Sequence, residues 1–235
     1  MEYKELENEI QKLCSTLGVA DYGICDITRL EKKLNKGYNQ ALSIIVPLLR
    51  GVLEEVELKP TITYFSHYRT VNRFIDQTTF KIASYIEREG YKTYPIPASQ
   101  SKPKSYYEGE FPHKTAAVLS GKGWIGKNAL FIHPKYGSAL RLGTILMNTQ
   151  FPITSTIKKS QCGQCKICIK ACPAQAIQGN NWELGMERKL LYDAKSCSDY
   201  MKTHFQHIGR GEVCGICIVK CPYSKINKGN SIETL

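Results

Sequence analysis

The chain has 235 residues, 42% of them hydrophobic, and a formal net charge of +11 at pH 7. This length suits one α/β domain with a small module attached, and the apolar fraction is sufficient for a buried core. No run approaches the 18 apolar residues that a membrane-spanning helix needs, and the polar, acidic N-terminal segment is unlike a signal peptide. We therefore expect a protein without a membrane span, located in a reducing cytoplasm.

Apolar periodicity over the first 150 residues predicts alternating helices and strands. Helical spacing of apolar residues predicts helices at residues 3–17, 28–36, 63–88 and 112–120. Short apolar runs predict strands at residues 20–27, 41–49, 91–96, 129–133 and 140–148. We therefore predict an α/β domain over residues 1–150, followed by a loop-rich, ferredoxin-like module over residues 151–235.

A glycine-rich block, Gly121-Lys-Gly123-Trp-Ile-Gly126-Lys127-Asn128, matches G-x-G-x-x-G letter for letter. The dinucleotide-binding fingerprint needs a strand before it, a helix after it and an acidic residue about 20 positions later. Here a predicted helix precedes the block, a predicted strand follows it, and the next acidic residue is Glu183. We therefore reject the dinucleotide interpretation. The glycines still permit positive φ angles or close approach of a ligand to the backbone.

The positive charge is concentrated in a stretch without acidic residues, between Glu110 and Glu183. One interpretation is charge balance for anionic groups bound nearby, together with an ordinary solvated surface. The other is a face for an anionic partner, such as a phosphate-bearing cofactor, tRNA, or an acidic electron donor like flavodoxin or ferredoxin. The basic residues in this stretch are Lys114, Lys122, Lys127, Lys135, Arg141, Lys158, Lys159, Lys166 and Lys170.

Eight of the ten cysteines lie between Cys162 and Pro222. The first cysteine motif reads Cys162-Gly-Gln-Cys165-Lys-Ile-Cys168-Ile-Lys-Ala-Cys172-Pro, which is the bacterial ferredoxin spacing for 4Fe-4S clusters. The second cysteine motif reads Cys214-Gly-Ile-Cys217-Ile-Val-Lys-Cys221-Pro, and Cys197 stands alone between the two motifs. Cys14 and Cys25 are isolated in apolar surroundings, which is typical of buried packing residues.

We predict two 4Fe-4S clusters with crossed ligation, because in two-cluster ferredoxins the fourth cysteine of a motif binds the other cluster. Zinc sites use paired C-x-x-C units without needing the triple spacing that ends in Cys-Pro. Disulfides require an oxidising compartment, which nothing in the sequence indicates. The predicted ligands of cluster A are Cys162, Cys165, Cys168 and Cys221. Those of cluster B are Cys172, Cys214, Cys217 and, as the remaining thiol, Cys197.

Three segments and the two cysteine motifs, in a fixed order, resemble the epoxyqueuosine reductase family and the core of respiratory reductive dehalogenases. They are residues 64–68 (Tyr-Phe-Ser-His-Tyr), residues 121–128, residues 136–143 (Tyr-Gly-Ser-Ala-Leu-Arg-Leu-Gly) and the two cysteine motifs. The resemblance implies a base-off cobalamin on a nitroreductase-like α/β domain, with one 4Fe-4S cluster near the cobalt and a second cluster that receives electrons. The residues that we assign to cofactor binding are Gly123, Gly126, Lys127, Asn128, Arg141 and Gly143.

The sequence departs from that family in two places. Epoxyqueuosine reductases carry Asp-x-x-Pro-x-x-Glu-Arg before the glycine-rich block, and its Asp is the expected proton donor. The corresponding residues 106–114 contain no Asp, so Tyr107 and Glu108 are our candidate catalytic residues, with Glu110 and His113 as alternatives. The chain also ends soon after the second cysteine motif, so we do not expect the C-terminal helical-repeat domain of the longer members.

Three functions are compatible with these features. The first is a cobalamin-dependent reductase that acts on a small molecule or a modified nucleoside. The second is an electron-transfer protein that reduces the corrinoid of a partner and has no substrate chemistry of its own. The third is a reductase that modifies tRNA.

Overall fold

A computed structural model of the chain describes residues 3–99, 107–153, 155–211 and 213–226. The chain divides into two compact units. The first consists of Met1–Pro47, Arg69–Trp124 and Leu140–Lys159, and the second of Leu48–Tyr68, Ile125–Ala139 and Ser160–Leu235. Each unit therefore draws on separated segments of the sequence. The domain boundary placed at residue 150 from the sequence stays a prediction.

Both helices and strands occur up to Met147, after which the described residues form helices of 4–12 residues joined by loops. The helices are α1 (Tyr3–Thr16), α2 (Lys32–Asn35), α3 (Arg50–Glu54), α4 (Ile62–Arg88), α5 (His113–Leu119), α6 (Ile167–Ala171), α7 (Ala194–Phe205) and α8 (Ile216–Val219). The strands are β1 (Asp21–Asp26), β2 (Gln40–Pro47), β3 (Thr93–Ile96), β4 (Trp124–Ile125), β5 (Phe131–Ile132) and β6 (Leu140–Met147). Single 3₁₀ turns occur at Arg188–Leu190, Gly209–Gly211 and Pro222–Ser224.

The first unit is built on a four-stranded antiparallel sheet with strand order β1-β2-β6-β3. Strands β2 and β6 pair over their whole length, from Gln40 opposite Met147 to Pro47 opposite Leu140. Both strands are almost entirely buried, which explains why they read as continuous apolar runs rather than as alternating ones.

Both faces of this sheet are covered by helices, since successive side chains of a strand point to opposite faces. On β6, Gly143 lies under α4, where an added Cβ would come within 2.7 Å of Ile75 and 2.9 Å of Thr79. The next residue, Thr144, contacts His113 of α5 instead. The sheet therefore lies between α4 and α5, and the first unit is α/β in the sense expected from the sequence.

Over residues 1–150 the predicted elements mostly agree with the observed ones, but the helix predicted at residues 28–36 contains only Lys32–Asn35. No helix was predicted in the loop-rich module, where α7 has 12 residues. The sequence missed α3 and β4, each of which contains five residues or fewer. It also overestimated the strand predicted at residues 129–133, of which only Phe131 and Ile132 are in β5. In the described part of the chain no helix combines the length and apolar character needed to cross a bilayer.

The close packing at Gly143 yields a stability prediction. We expect Gly143→Ala to lower the free energy of unfolding by about 1–3 kcal/mol, because the new methyl group overlaps side chains on both α4 and β2. Urea denaturation followed by circular dichroism measures this. The matched control is Gly51→Ala in α3, where an added Cβ meets nothing within 4 Å. An unfolding free energy as high as that of the wild type would contradict this account of Gly143.

Candidate metal centre

All ten cysteines are free thiols, and two of them lie apart from the rest in the first unit. Cys14 on α1 and Cys25 on β1 are 2% and 0% exposed. Burial raises the pKa of each thiol to about 12, so both remain protonated at neutral pH. They are packing residues, as their apolar sequence context predicts.

The structure brings four of the remaining thiols together around one cavity in the second unit. Burial raises the pKa of Cys168 to about 11, and the charges of three nearby thiols contribute to the shift: Cys221, Cys162 and Cys165. These four side chains, the cluster A thiols, line a cavity together with Lys127, Asn128, Ile132, Pro222 and Tyr223. Cys221, from the second cysteine motif, therefore joins three cysteines of the first.

The other four thiols form a second group in the same unit. Burial raises the pKa of Cys217 well above its ordinary value, and the principal thiols that add to the shift are Cys214, Cys197 and Cys172. We call these four the cluster B thiols. Cys168 also contributes to the shift of Cys217, so the two groups adjoin. Here Cys172 of the first cysteine motif joins two cysteines of the second.

Short turns position the cluster A thiols. The Cys165 N–H donates to the Cys162 carbonyl across 2.9 Å, and Gly163 takes a φ of +48° inside this turn. Helix α6 then carries Cys168 and ends at Cys172, which directs these two thiols to different groups. A two-residue spacing followed by one helical turn is thus sufficient to place Cys168 and Cys172 in different thiol groups.

Cys197 is positioned by a small element between the two cysteine motifs. Ile177 and Tyr192 form an antiparallel bridge, and the Asp193 N–H donates to the Ala176 carbonyl at 2.8 Å. The Asp193 side chain then caps α7 by accepting from the Lys195 and Ser196 N–H groups, as N-cap residues do. Cys197 lies in the first turn of that helix, which explains its irregular spacing in the sequence.

Hydrogen bonds reach the sulfur atoms of both groups. The Tyr192 hydroxyl donates to Cys197, and Ser138 lies beside Cys221, where its hydroxyl donates to the Ile218 carbonyl at 3.5 Å. Backbone N–H groups add to these, from Ile216 to Cys214 and from Tyr223 to Cys221. Hydrogen bonds to sulfur are one of the means by which proteins adjust the reduction potential of iron–sulfur clusters. Tyr192 and Ser138 were missed from the sequence, because no local pattern reveals which hydroxyl will lie beside a distant thiol.

The glycine-rich block contacts both cysteine motifs through two adjacent side chains. Lys127 Nζ donates to the Gly163 carbonyl at 2.6 Å, and Asn128 Nδ2 donates to the Cys217 carbonyl at 3.3 Å. Gly126 is required inside the block, where an added Cβ would lie 2.8 Å from the Asn128 Oδ1. The end of the block therefore ties together the two loops that carry the thiols.

The other residues assigned to cofactor binding are occupied elsewhere. Arg141 donates through Nε to Asn72 Oδ1 at 3.1 Å, and Gly143 is needed for the packing of α4. Gly123, Arg141 and Gly143 lie in the first unit, whereas Gly126, Lys127 and Asn128 lie in the second. Neither unit contains all six of the residues assigned to cofactor binding. Their assignment to a cofactor therefore stays a prediction.

The candidate catalytic residues lie at the surface of the first unit. Tyr107 and Glu108 are exposed, and Glu110 pairs with Lys36 at 2.9 Å. His113 is held at both ring nitrogens: Nε2 lies 3.1 Å from the Pro97 carbonyl and must donate, so Nδ1 accepts from the Thr144 hydroxyl at 2.8 Å. A role for Tyr107 or Glu108 in proton transfer stays a prediction.

The aromatic segment at residues 64–68 packs against the second cysteine motif within the second unit. Tyr64 is 2% exposed, and an added Cβ on Gly215 would lie 2.8 Å from its ring. Gly215 has a φ of +82° and separates Cys214 from α8. The His67 Nε2 accepts from the Leu49 N–H at 3.0 Å. Within this unit, the segment thus supports the loop that carries Cys214 and Cys217.

A single metal ion would need its ligands closer together than these groups hold them. Among the described residues, no three His, Cys, Asp or Glu side chains are arranged to hold one ion. A cubane distributes its thiolates over four irons, so cluster binding does not require such a compact set. The donor chemistry, four thiols per group, fits two 4Fe-4S clusters.

A sequence family described as 4Fe-4S double cluster binding domain matches residues 161–224. The match includes all eight cysteines of the two thiol groups, and it supports two 4Fe-4S clusters in this chain.

The chain as a whole is similar to epoxyqueuosine reductases. It is 24% identical to the epoxyqueuosine reductase of Vibrio cholerae over 270 residues, which cover 96% of this chain and 69% of that protein. The resemblance predicted from the sequence is thereby confirmed, and these relatives indicate a reductase.

Two solved structures show the same fold. The catabolic reductive dehalogenase NpRdhA superposes with a TM-score of 0.71 at 18% identity, over 92% of this chain and 31% of its own. An epoxyqueuosine reductase with an epoxyqueuosine-modified tRNA-Tyr stem loop superposes with a TM-score of 0.63 at 16% identity, over 95% of this chain and 66% of its own. The chain thus spans about a third of the dehalogenase and about two thirds of the reductase.

The two thiol groups predict the metal content. We expect about eight irons and eight sulfides per chain, and we expect Cys165→Ser to lose about half of the iron, because a cubane needs its four thiolates. Cys14→Ser is the matched control and should retain the wild-type iron content. Iron and sulfide analysis after anaerobic purification measures both. Two tightly bound zinc ions instead of iron would overturn the cluster assignment.

The partial desolvation of the half-buried His113 predicts a pH dependence of stability. Burial lowers the pKa of His113 from 6.5 to about 4, so the unfolded chain binds a proton at this position more readily than the folded one. The wild type should therefore lose about 2 kcal/mol of stability between pH 7 and pH 5 through this group. His113→Gln should lack this contribution. Unfolding of both proteins at the two pH values measures it, and equal losses would contradict the assignment.

Proposed function

We propose that this protein is an iron–sulfur oxidoreductase of the epoxyqueuosine reductase type, which passes single electrons through two 4Fe-4S clusters to a base-off cobalamin. The observation that carries the proposal is the division of eight thiols into two adjoining groups of four, each containing cysteines from both motifs. That exchange is the ligation pattern of two-cluster ferredoxins. Adjoining clusters suit one-electron transfer from one to the other.

The chain's own residues hold the clusters and surround them with hydrogen bonds. We propose that Cys162, Cys165, Cys168 and Cys221 hold cluster A, and that Cys172, Cys197, Cys214 and Cys217 hold cluster B. The Tyr223 N–H and the Tyr192 hydroxyl donate to one sulfur atom in each group. These donors favour the additional negative charge of a reduced cluster, because a hydrogen bond to an anionic acceptor strengthens as its charge rises.

Cobalamin is proposed from the relatives rather than from a cradle in this chain. Epoxyqueuosine reductases and a reductive dehalogenase are similar to it in sequence or fold, and a nitroreductase-like core for corrinoid binding is part of the proposal. When bound, reduced cobalamin supplies a strong nucleophile to the substrate. The residues assigned to it from the sequence have protein partners or packing roles, so we assign no contacts to the corrinoid.

The proposed substrate is a modified nucleoside or a small molecule. One relative of this fold has been solved with an epoxyqueuosine-modified tRNA stem loop, which supports a nucleoside or tRNA substrate. Tyr107 and Glu108 are the proposed proton donors, and their exposure leaves them accessible to a substrate. An acidic carrier such as flavodoxin or ferredoxin is the proposed electron donor, in a reducing cytoplasm where the free thiols are stable.

The corrinoid part of the proposal is tested with the reconstituted, iron-loaded protein. We expect added cobalamin to shift its visible spectrum to the base-off form, and we expect Glu108→Gln and Tyr107→Phe to bind it equally well, since both residues are assigned to proton transfer alone. Absence of a shift, together with no corrinoid in the anaerobically purified protein, would refute the reductase proposal. The chain would then be an electron-transfer protein that serves a partner's corrinoid.

The substrate is tested by single-turnover assays with a strong reductant. Epoxyqueuosine as a free nucleoside and tRNA that carries epoxyqueuosine are supplied in parallel at excess enzyme, and queuosine is measured by mass spectrometry. Product from tRNA alone would identify a tRNA-modifying reductase, whereas product from the nucleoside would identify a small substrate. No product from either, with cobalamin bound, would exclude both forms of epoxyqueuosine.

A further inference from the structure

Lys127 is a buried cation beside the cluster A thiols. Its residue is 5% exposed, and its side chain lines the same cavity as Cys162, Cys165, Cys168 and Cys221. A buried ammonium group is costly unless an anion or several hydrogen-bond acceptors compensate for the lost water. Its Nζ donates to the Gly163 carbonyl at 2.6 Å, and a neutral carbonyl provides only part of that compensation.

The cavity that Lys127 lines supplies the anion. A cubane with four thiolate ligands is negatively charged, and it gains one more negative charge when it is reduced. A fixed positive charge nearby stabilises the reduced form more than the oxidised form, especially where water is excluded and screening is weak. The position of Lys127 therefore favours uptake of an electron at cluster A.

We propose that Lys127 is the internal counter-charge of cluster A and raises its reduction potential. The inference rests on the proposed ligation of cluster A by the four thiols. It also assigns one lysine of the acid-free stretch to charge balance rather than to a phosphate or a docking partner. Lys127 is thus a positioning residue for electron transfer through this chain.

Other side chains approach the cluster B thiols. The block's next residue, Asn128, is neutral and reaches the Cys217 carbonyl. The Tyr192 hydroxyl, also neutral, donates to Cys197. The charge of Arg188 also lowers the pKa of Cys197, so cluster B has a cation of its own, and the effect of Lys127 is expected at cluster A.

The test is a redox titration of the iron-loaded protein followed by electron paramagnetic resonance. At the wild-type midpoint of cluster A, we expect Lys127→Met to lower the ratio of reduced to oxidised cluster about tenfold, which is about 59 mV for a one-electron couple. The other reduction step should shift much less. Lys127→Arg keeps the charge and should restore the wild-type midpoint to within a threefold change in that ratio. Lys135→Met removes an exposed lysine of the same unit and should leave both steps unchanged.

Each outcome decides the proposal. Eight irons in Lys127→Met with neither step shifted would overturn it, as would an equal shift in Lys135→Met. If Lys127→Met loses iron, the Lys127→Arg variant decides the question. Wild-type iron content and midpoint in Lys127→Arg would support a requirement for the positive charge. Loss of iron in Lys127→Arg as well would indicate that only the shape of the side chain matters, and would overturn the proposal. Failure of the ligation scheme is distinguishable, because the wild type itself would then lack about eight irons.

Discussion

The burial of eight thiols in two adjoining groups is the constraint on which the second unit depends. Thiols this close raise one another's pKa, and burial raises it further, so ionised sulfurs in this arrangement require compensating positive charge. Iron supplies most of that charge in a cluster, and the surrounding N–H and O–H groups supply the rest. Three local features position the sulfur atoms within the two thiol groups: the turn at Gly163, the helix cap at Asp193 and the positive φ of Gly215.

The glycine-rich block has a different role from the one its letters suggest. A G-x-G-x-x-G pattern usually brings a phosphate to a helix N-terminus, but here no helix follows, and Lys127 and Asn128 contact the two cysteine motifs instead. The block is therefore part of the metal centre. The absence of a helix after the block agrees with the rejection of the dinucleotide interpretation. The sequence pattern alone could not identify the backbone carbonyls that Lys127 and Asn128 reach.

The basic residues between Glu110 and Glu183 likewise have different roles in the structure. Lys122 pairs with Asp21 and Arg141 donates to Asn72, while Lys127 is buried beside thiols. Lys158, Lys159, Lys166 and Lys170 are exposed and keep the net positive surface available to an anionic partner. Basic residues that form one run in the sequence therefore differ in their roles. Residues close together in the chain can face a buried site, form an ion pair or face water.

The sequence by itself determined the α/β elements of the first 147 residues and the presence of a double-cluster module, because apolar periodicity and cysteine spacing are local patterns that backbone geometry imposes. The assignment of each thiol to one of the two clusters stays a prediction. Only the tertiary structure decided that an added Cβ on Gly143 would clash with α4, that Tyr192 donates to sulfur, and that Lys127 is buried beside the cluster A thiols. Each of these depends on atoms brought together from distant segments, and their proximity has no signature within either segment alone.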